Sequence, residues 1–274
     1  MNWRLAVCRL WYVVFLCMIP VLLFAQEGGT IFEFLPGKKL FPLQTADGLA
    51  HQMSLSRVTE NRDWIGVIGA SLPVLQADFP DAKLQAGVAA TTFNRLIKTP
   101  GHLAVYTIDY KVDFPFDLQL SRLTLRFAVG HISSHFADDG IEMLNKRSIQ
   151  YVNDYVTVGA GYDLPLIGGT VYGIINYIYH TVPVPNRPWM LQVGADFGNY
   201  PLTGFARLYG AFDVRVKQDV SWGSTQSYQV GVKLFARDDL QLRFAYTLRL
   251  GFEDRGQFYL NKETKNLYSV FLDF

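Results

Sequence analysis

The sequence predicts an all-β fold, a transmembrane antiparallel up-and-down β-barrel of about twelve strands. Three observations carry that expectation. Stretches of alternating apolar and polar residues recur along the chain. A secretory leader precedes them. The chain ends in KNLYSVFLDF, which alternates up to an aromatic last residue. The 274 residues are 50% hydrophobic, but only the leader concentrates that hydrophobicity in one run.

The leader reads MNWRLAVCRLWYVVFLCMIPVLLFAQ. Arg4 and Arg9 come first, then an apolar stretch from Leu10 to Phe24, then Ala25. That is the three-part pattern of a signal peptide over residues 1–25. The apolar run falls short of the about 20 residues a spanning helix needs. Leu16 is too large for the position before a lipidated cysteine at Cys17. Both cysteines, Cys8 and Cys17, lie in the leader, so the mature chain has no disulfide framework, thiolate metal site or cysteine nucleophile. Lys and Arg total 25 against 24 Asp and Glu, and removing Arg4 and Arg9 keeps the balance near neutral. Nothing in that charge attracts nucleic acid.

Residues 26–50 contain Pro36, Pro42 and several glycines and keep no period, which predicts a periplasmic lead-in at the barrel mouth. The barrel is expected over 51–274. Its alternating segments are His51–Thr59, Trp64–Leu75, Leu84–Phe93, His102–Val112, Gln119–Ser133, Ser148–Asp163, Gly169–Thr181, Trp189–Phe197, Ala206–Lys217, Thr225–Ala236, Leu240–Glu253 and Lys265–Phe274. Many have the roughly 9–11 residues of a tilted spanning strand, and their number is even, as single-chain bacterial barrels require. No segment after the lead-in reads as a stable amphipathic helix. Leu164–Gly168 and Arg237-Asp238-Asp239 are tight and fit periplasmic turns, whereas Ser134–Arg147 and Asp254–Thr264 are long, polar and fit outer loops. Pro73–Lys83 stands out as a long connection on the periplasmic side.

A soluble sandwich or lipocalin-like barrel would show the same alternation. Aromatics near the strand ends, such as Trp64, Tyr179, Trp189 and Tyr200, favour the membrane version. Tyr268, Val270, Leu272 and Phe274 resemble the terminal strand of bacterial outer-membrane barrels. That resemblance implies the cell outer membrane as location and the barrel-assembly machinery as a partner that reads the strand ending at Phe274.

One stretch carries chemistry. In SRLTLRFAVGHISSH, Arg122 and Arg126 fall on the even positions. A lipid-facing Arg costs about 2–4 kcal/mol at the bilayer midplane, so the even face is assigned to the lumen. Arg122, Arg126, Asn153, Tyr155, Arg207, Arg243 and Arg249 are expected to line the interior. The odd face, with His131, Ser133 and His135, then meets lipid near the outer headgroups. On the next strand, YVNDYVTVGA, the valine face must be the lipid face, and Asp154 lies on it. A histidine, a serine and an aspartate therefore share one outward patch.

Nucleophilic catalysis needs that set. A serine hydroxyl attacks only when a base takes its proton, and the base must be held in one tautomer by a third group. Ser133 fits the nucleophile, His131 the base and Asp154 the orienting acid, with His135 a second candidate base. The main reading makes these residues the wet rim of an integral barrel with a structural or narrow-pore role and no established activity, and an outer-leaflet lipid esterase using the Ser/His/acid set is the alternative. A third reading gathers His131, His135, Asp138, Asp139 and Glu142 around a divalent ion, at a spacing that matches no established motif. The residues imply no cofactor.

Two family resemblances follow from these motifs. LFPLQTADGLAHQMSLS (Leu40–Ser56), SSHFADDG, RSIQYVND (Arg147–Asp154) and VYGIINYIYH (Val171–His180) are similar to the outer-membrane family called domain of unknown function 1207. That family brings no established activity. It usually has glutamate where Asp154 stands and leucine-glycine-aspartate-glutamate where Phe136-Ala137-Asp138-Asp139 stands. His131-Ile132-Ser133 resembles, locally, the His-x-Ser motif of outer-membrane lipid A 3-O-deacylases. That likeness implies a serine-type ester hydrolase acting on lipopolysaccharide. It carries over His131 and Ser133 and leaves the acid open between Asp154 and Glu142.

Overall fold

The alternating segments pair in sequence order. The computed structural model describes residues 30–273 except residues 62, 184, 185, 238 and 239. The leader, Phe274 and the Asp238-Asp239 turn lie outside the described residues. The described residues form thirteen strands: β1 (Ile31–Phe34), β2 (Met53–Val58), β3 (Asp63–Asp78), β4 (Lys83–Lys98), β5 (Leu103–Leu120), β6 (Leu123–Phe136), β7 (Tyr151–Leu164), β8 (Gly169–Val182), β9 (Trp189–Pro201), β10 (Ala206–Lys217), β11 (Gly223–Arg237), β12 (Leu240–Phe252) and β13 (Lys262–Asp273). From β2 to β13 each pairs antiparallel with the next, and β13 closes on β2 through Leu267–Leu272 against Val58–Met53. The result is a closed antiparallel barrel of 12 strands. Closure gives every strand from β2 to β13 a neighbour on both sides, although the six-residue β2 covers β3 only over Trp64–Val67. β1 stands outside that ring and pads the lower end of β3, Ile31 opposite Asp78.

The two faces of the wall are inverted relative to a soluble protein. Val158, Ile175, Val193, Val230 and Phe244 are exposed on the outside. Inside, Asp109, Arg215, Arg243, Lys233 and Gln192 are buried. Such a wall suits hydrocarbon outside and polar groups paired with one another within. Along β6 the split is clean: Thr124, Ala128, Gly130, Ile132 and Ser134 are buried, and Leu125, Phe127, His131 and His135 are exposed.

The lead-in fills much of the lumen. Phe41 lies under the Arg126 guanidinium, 4.1 Å from ring centre to Cζ. Arg126 is held in turn by Asp117 through two hydrogen bonds of 2.7 Å. A Cβ on Gly161 would sit 2.5 Å from Pro42, so only glycine leaves room for the lead-in there. Thr45 donates to Asp196, and Asp47 takes an ion pair from Arg215 at 2.5 Å and a hydrogen bond from Gln192 at 3.1 Å. A cavity of about 240 Å³ remains beside the β6–β9 wall.

Four expectations need correction. The connection at Pro73–Lys83 is short: β3 runs on to Asp78 through a bulge between Pro73 and Leu75, and the turn closes with Phe79 N donating to Ala82 O at 2.8 Å. A bulge is where a strand tolerates proline. A short helix, α1 (Asp138–Leu144), does form in the outer loop, with Asp138 and Asp139 in its first turn, where carboxylates favour the helix dipole, and left-handed Asn145 at its end. Arg122 does not line the lumen. It sits exposed in the β5–β6 turn beside left-handed Ser121, past the end of the alternation. Arg207 is also exposed, its guanidinium 5.0 Å from the Phe235 ring centre. Arg126, Asn153, Tyr155, Arg243 and Arg249 do face inward: Asn153, Tyr155 and Arg243 are buried, and Arg249 donates to buried Ser227 at 3.1 Å.

Candidate functional site

The site is built on the outward face of β6, β7 and β8, near the strand ends that lead into α1 and into the β8–β9 connection. Antiparallel register puts His131 of β6 directly opposite Asp154 of β7. His131 Nδ1 lies 2.6 Å from Asp154 Oδ1. Across the next pair, Asp154 stands opposite His180 of β8, and His180 Nδ1 lies 2.8 Å from Oδ2 of the same carboxylate. An ionised carboxylate only accepts hydrogen bonds, so both imidazoles carry their proton on Nδ1. That leaves Nε2 of each ring as the free basic nitrogen. The side chains of His131 and His180 are 46% and 57% exposed, and Asp154 is 26% exposed. The wall thus presents a His–Asp–His row spanning three strands.

Ser133 sits two residues above His131 on the same face of β6, opposite Val152. Residues i and i+2 of a strand are about 6–7 Å apart at Cα, within side-chain reach. Among the described residues no hydrogen bond engages the Ser133 hydroxyl. His135 is exposed one step further up, with its ring 6.4 Å from that of Tyr110. Glu142 is exposed on α1 and joins neither His131 nor His180. The acid at His131 is therefore Asp154. No group of three His, Cys, Asp or Glu among the described residues is placed to hold a metal ion. Asp139 instead accepts the Val105 N–H at 2.7 Å.

His180 was not among the residues the sequence singled out. By parity it belongs with Tyr172, Ile174 and Asn176, which are buried inside. The register jumps between Asp154–His180 and Tyr155–Ile178, so Tyr179 is an extra residue in β8. That bulge turns His180 outward and sends Thr181 inward, where its hydroxyl donates to Asn153 at 2.6 Å. The sequence signal for it was weak: two polar residues, His180 and Thr181, close a strand whose parity cannot hold both on one face.

The lumen holds a second histidine–aspartate pair. His51 Nε2 lies 2.6 Å from Asp113 Oδ2, and His51 Nδ1 lies 2.8 Å from Thr91 Oγ1. Asp113 also accepts from Tyr155 OH at 2.7 Å and faces Lys111 Nζ at 3.4 Å.

The family described as "Protein of unknown function (DUF1207)" matches residues 36–270. The chain belongs to this family. That span includes the whole His131–Asp154–His180 row and the lumenal lead-in from Pro36 onward. No curated protein matches the sequence. Among solved structures, the outer membrane phospholipase of Salmonella typhi, described as a dimer with bound calcium, is similar with a TM-score of 0.53 at 12% identity, over 84% of this chain and 95% of that one. The NanC porin is similar with a TM-score of 0.43 at 12% identity, over 82% and 99%. BamA from Haemophilus ducreyi lacking POTRA domains 1–3 follows with a TM-score of 0.34 at 8% identity, over 95% and 78%. The first of these likenesses concerns the fold: this DUF1207 chain has the barrel architecture of an outer-membrane protein.

Proposed function

We propose that this DUF1207 chain is an integral outer-membrane barrel that hydrolyses carboxylic esters of outer-leaflet lipid. The carrying observation is the 2.6 Å contact of His131 with Asp154, on the outward face that also presents Ser133. The Asp154 carboxylate fixes the proton of His131 on Nδ1, which leaves Nε2 to act as base. Ser133 Oγ attacks the ester carbonyl while His131 takes its proton. The C–O bond to the alcohol breaks, and the alcohol leaves with that proton. Water then attacks the acyl-serine, His131 takes a proton from the water, and a free fatty acid leaves with Ser133 restored. Lipid substrate reaches such a site laterally, with its acyl chains along the apolar wall. Lipopolysaccharide is the substrate class this position favours. What an outer membrane phospholipase shares with this chain is the barrel fold. The barrel-assembly machinery is the proposed partner for insertion, through β13.

Lipid A mass spectrometry and a p-nitrophenyl ester assay test the reading, with Ser133→Ala beside wild type. The expected loss is about 10³-fold or more in turnover with folding intact. Equal turnover by the two proteins discards it. A structural or narrow-pore barrel is the second reading, favoured by the cavity of about 240 Å³ in the lumen. Steady conductance in planar bilayers supports it, and silence removes its pore version.

A further inference from the structure

A strand seldom carries a bulge without consequence, and bulges commonly re-aim one side chain beside a site. The bulge at Tyr179 re-aims His180, and His180 lands on the oxygen of Asp154 that His131 leaves free. A carboxylate on a short side chain has a broad, two-fold terminal torsion. With one partner it turns, and the hydrogen bond that orients the base turns with it. With two partners on its two oxygens, its plane is fixed.

We propose that His180 is a positioning residue that locks the Asp154 carboxylate and thereby orients His131 toward Ser133. The inference rests on the ester-hydrolase reading and adds a fourth residue to it. His180 acts through Asp154 and has no contact with the reacting carbonyl. Its Nδ1–H is the working group, because that atom, and not Nε2, meets Oδ2 at 2.8 Å. Neutral and protonated His180 both donate from Nδ1, so the lock needs no charge on His180. The groups that face this row are His131 from β6 and Asp154 from β7, with Tyr179 as the bulged neighbour on β8.

The geometry singles out an informative pair of variants. His180→Ala removes the donor. His180→Asn keeps an N–H donor close to the place of Nδ1 and discards the rest of the ring. In full-length protein in mixed micelles with a p-nitrophenyl ester, His180→Ala should lower kcat about tenfold with KM unchanged, as expected for a misaligned base. His180→Asn should restore most of the lost kcat. Wild-type kcat in His180→Ala, or a loss that asparagine fails to rescue, overturns the proposal. A second readout is independent of turnover: the His131 Nδ1–H proton in ¹H–¹⁵N spectra should sit downfield in wild type and His180→Asn, and broaden in His180→Ala. An unchanged resonance in His180→Ala also overturns it. Absent hydrolysis by wild type, with the spectral contrast present, sinks the ester-hydrolase reading and leaves the lock itself standing.

Discussion

Two histidine–aspartate pairs with the same 2.6 Å contact sit on opposite sides of one wall. In the lumen, His51 uses both ring nitrogens: Nε2–H donates to Asp113, and Nδ1 accepts from the Thr91 hydroxyl. Asp113 is saturated by His51, Tyr155 and Lys111, and Thr91 is buried. On the outward face, His131 uses Nδ1 only, its ring is half exposed, and the Ser133 hydroxyl is unengaged among the described residues. Hydroxyl, imidazole and carboxylate are present in both places. The difference is vacancy. A base needs an unoccupied lone pair and a nucleophile needs an approach path, and the lumenal trio has neither. Its closed hydrogen bonds do another job: they tether His51, which follows the lead-in and precedes β2 rather than opening a strand, to β4 and β5.

The largest expected effect separates the two pairs by rate. Asp154→Asn keeps the shape of the outer pair but loses the charge that steadies the imidazolium and fixes its tautomer. Ester turnover should fall about 10²–10⁴-fold. Stability should change by about 1–2 kcal/mol at most, since Asp154 is 26% exposed and the amide keeps an acceptor for one of its two histidines. The assay is turnover beside urea unfolding in micelles. Turnover at the wild-type level would remove Asp154 from the chemistry and leave an ornamental contact.

A stability effect should mark the inner pair instead. Asp113→Ala strips the partner from the His51 Nε2–H, from Tyr155 OH and from the Lys111 ammonium at once. Removing one side of a buried ionic cluster costs about 3–5 kcal/mol. Unfolding in urea should shift accordingly, and turnover per folded molecule should match wild type. A folded Asp113→Ala protein with impaired turnover would mean that the lumenal trio takes part in the reaction, against the contrast drawn from the hydrogen bonds.

The two pairs also differ in how readable they were. The outer one follows from parity: Arg126 belongs inside, so His131 and Ser133 fall on the outward face, and the outward valines of β7 put Asp154 beside them. Register then supplies the contact. The strands were legible for the same reason, because period-two alternation is a local property, whereas closure rests on the long-range pairing of β13 with β2. The inner pair depends on where a segment without a period comes to rest. Nothing in QTADGLAHQ states that Asp47 will meet Arg215 or His51 will meet Asp113, contacts that span 168 and 62 residues of chain. His180 escaped for a third reason. One bulged residue inverts the parity of everything after it, and the sequence does not announce the bulge. Arg122 departs from parity because it lies in the β5–β6 turn, one residue before β6 begins.

The smallest expected effect concerns acid. Burial pulls the His51 imidazole below its ordinary value, reinforced by the Lys111 ammonium and opposed by Asp113. The geometry agrees, because the neutral ring already satisfies both of its neighbours and a second proton on Nδ1 would point at the Thr91 hydroxyl. In the unfolded chain His51 takes up its proton near its ordinary pKa of about 6.5. Below that pH the unfolded state binds a proton that the folded state refuses, so stability falls as pH drops from about 7 toward the lower folded value and is unaffected above it. His51→Gln keeps a donor for Asp113 and has no titrating ring. The difference in urea midpoint between pH 8 and pH 5 should therefore be smaller in His51→Gln than in wild type. An identical difference in the two proteins would show that His51 accepts its proton as easily in the lumen as in water. The seal that distinguishes the inner pair from the outer would then be gone.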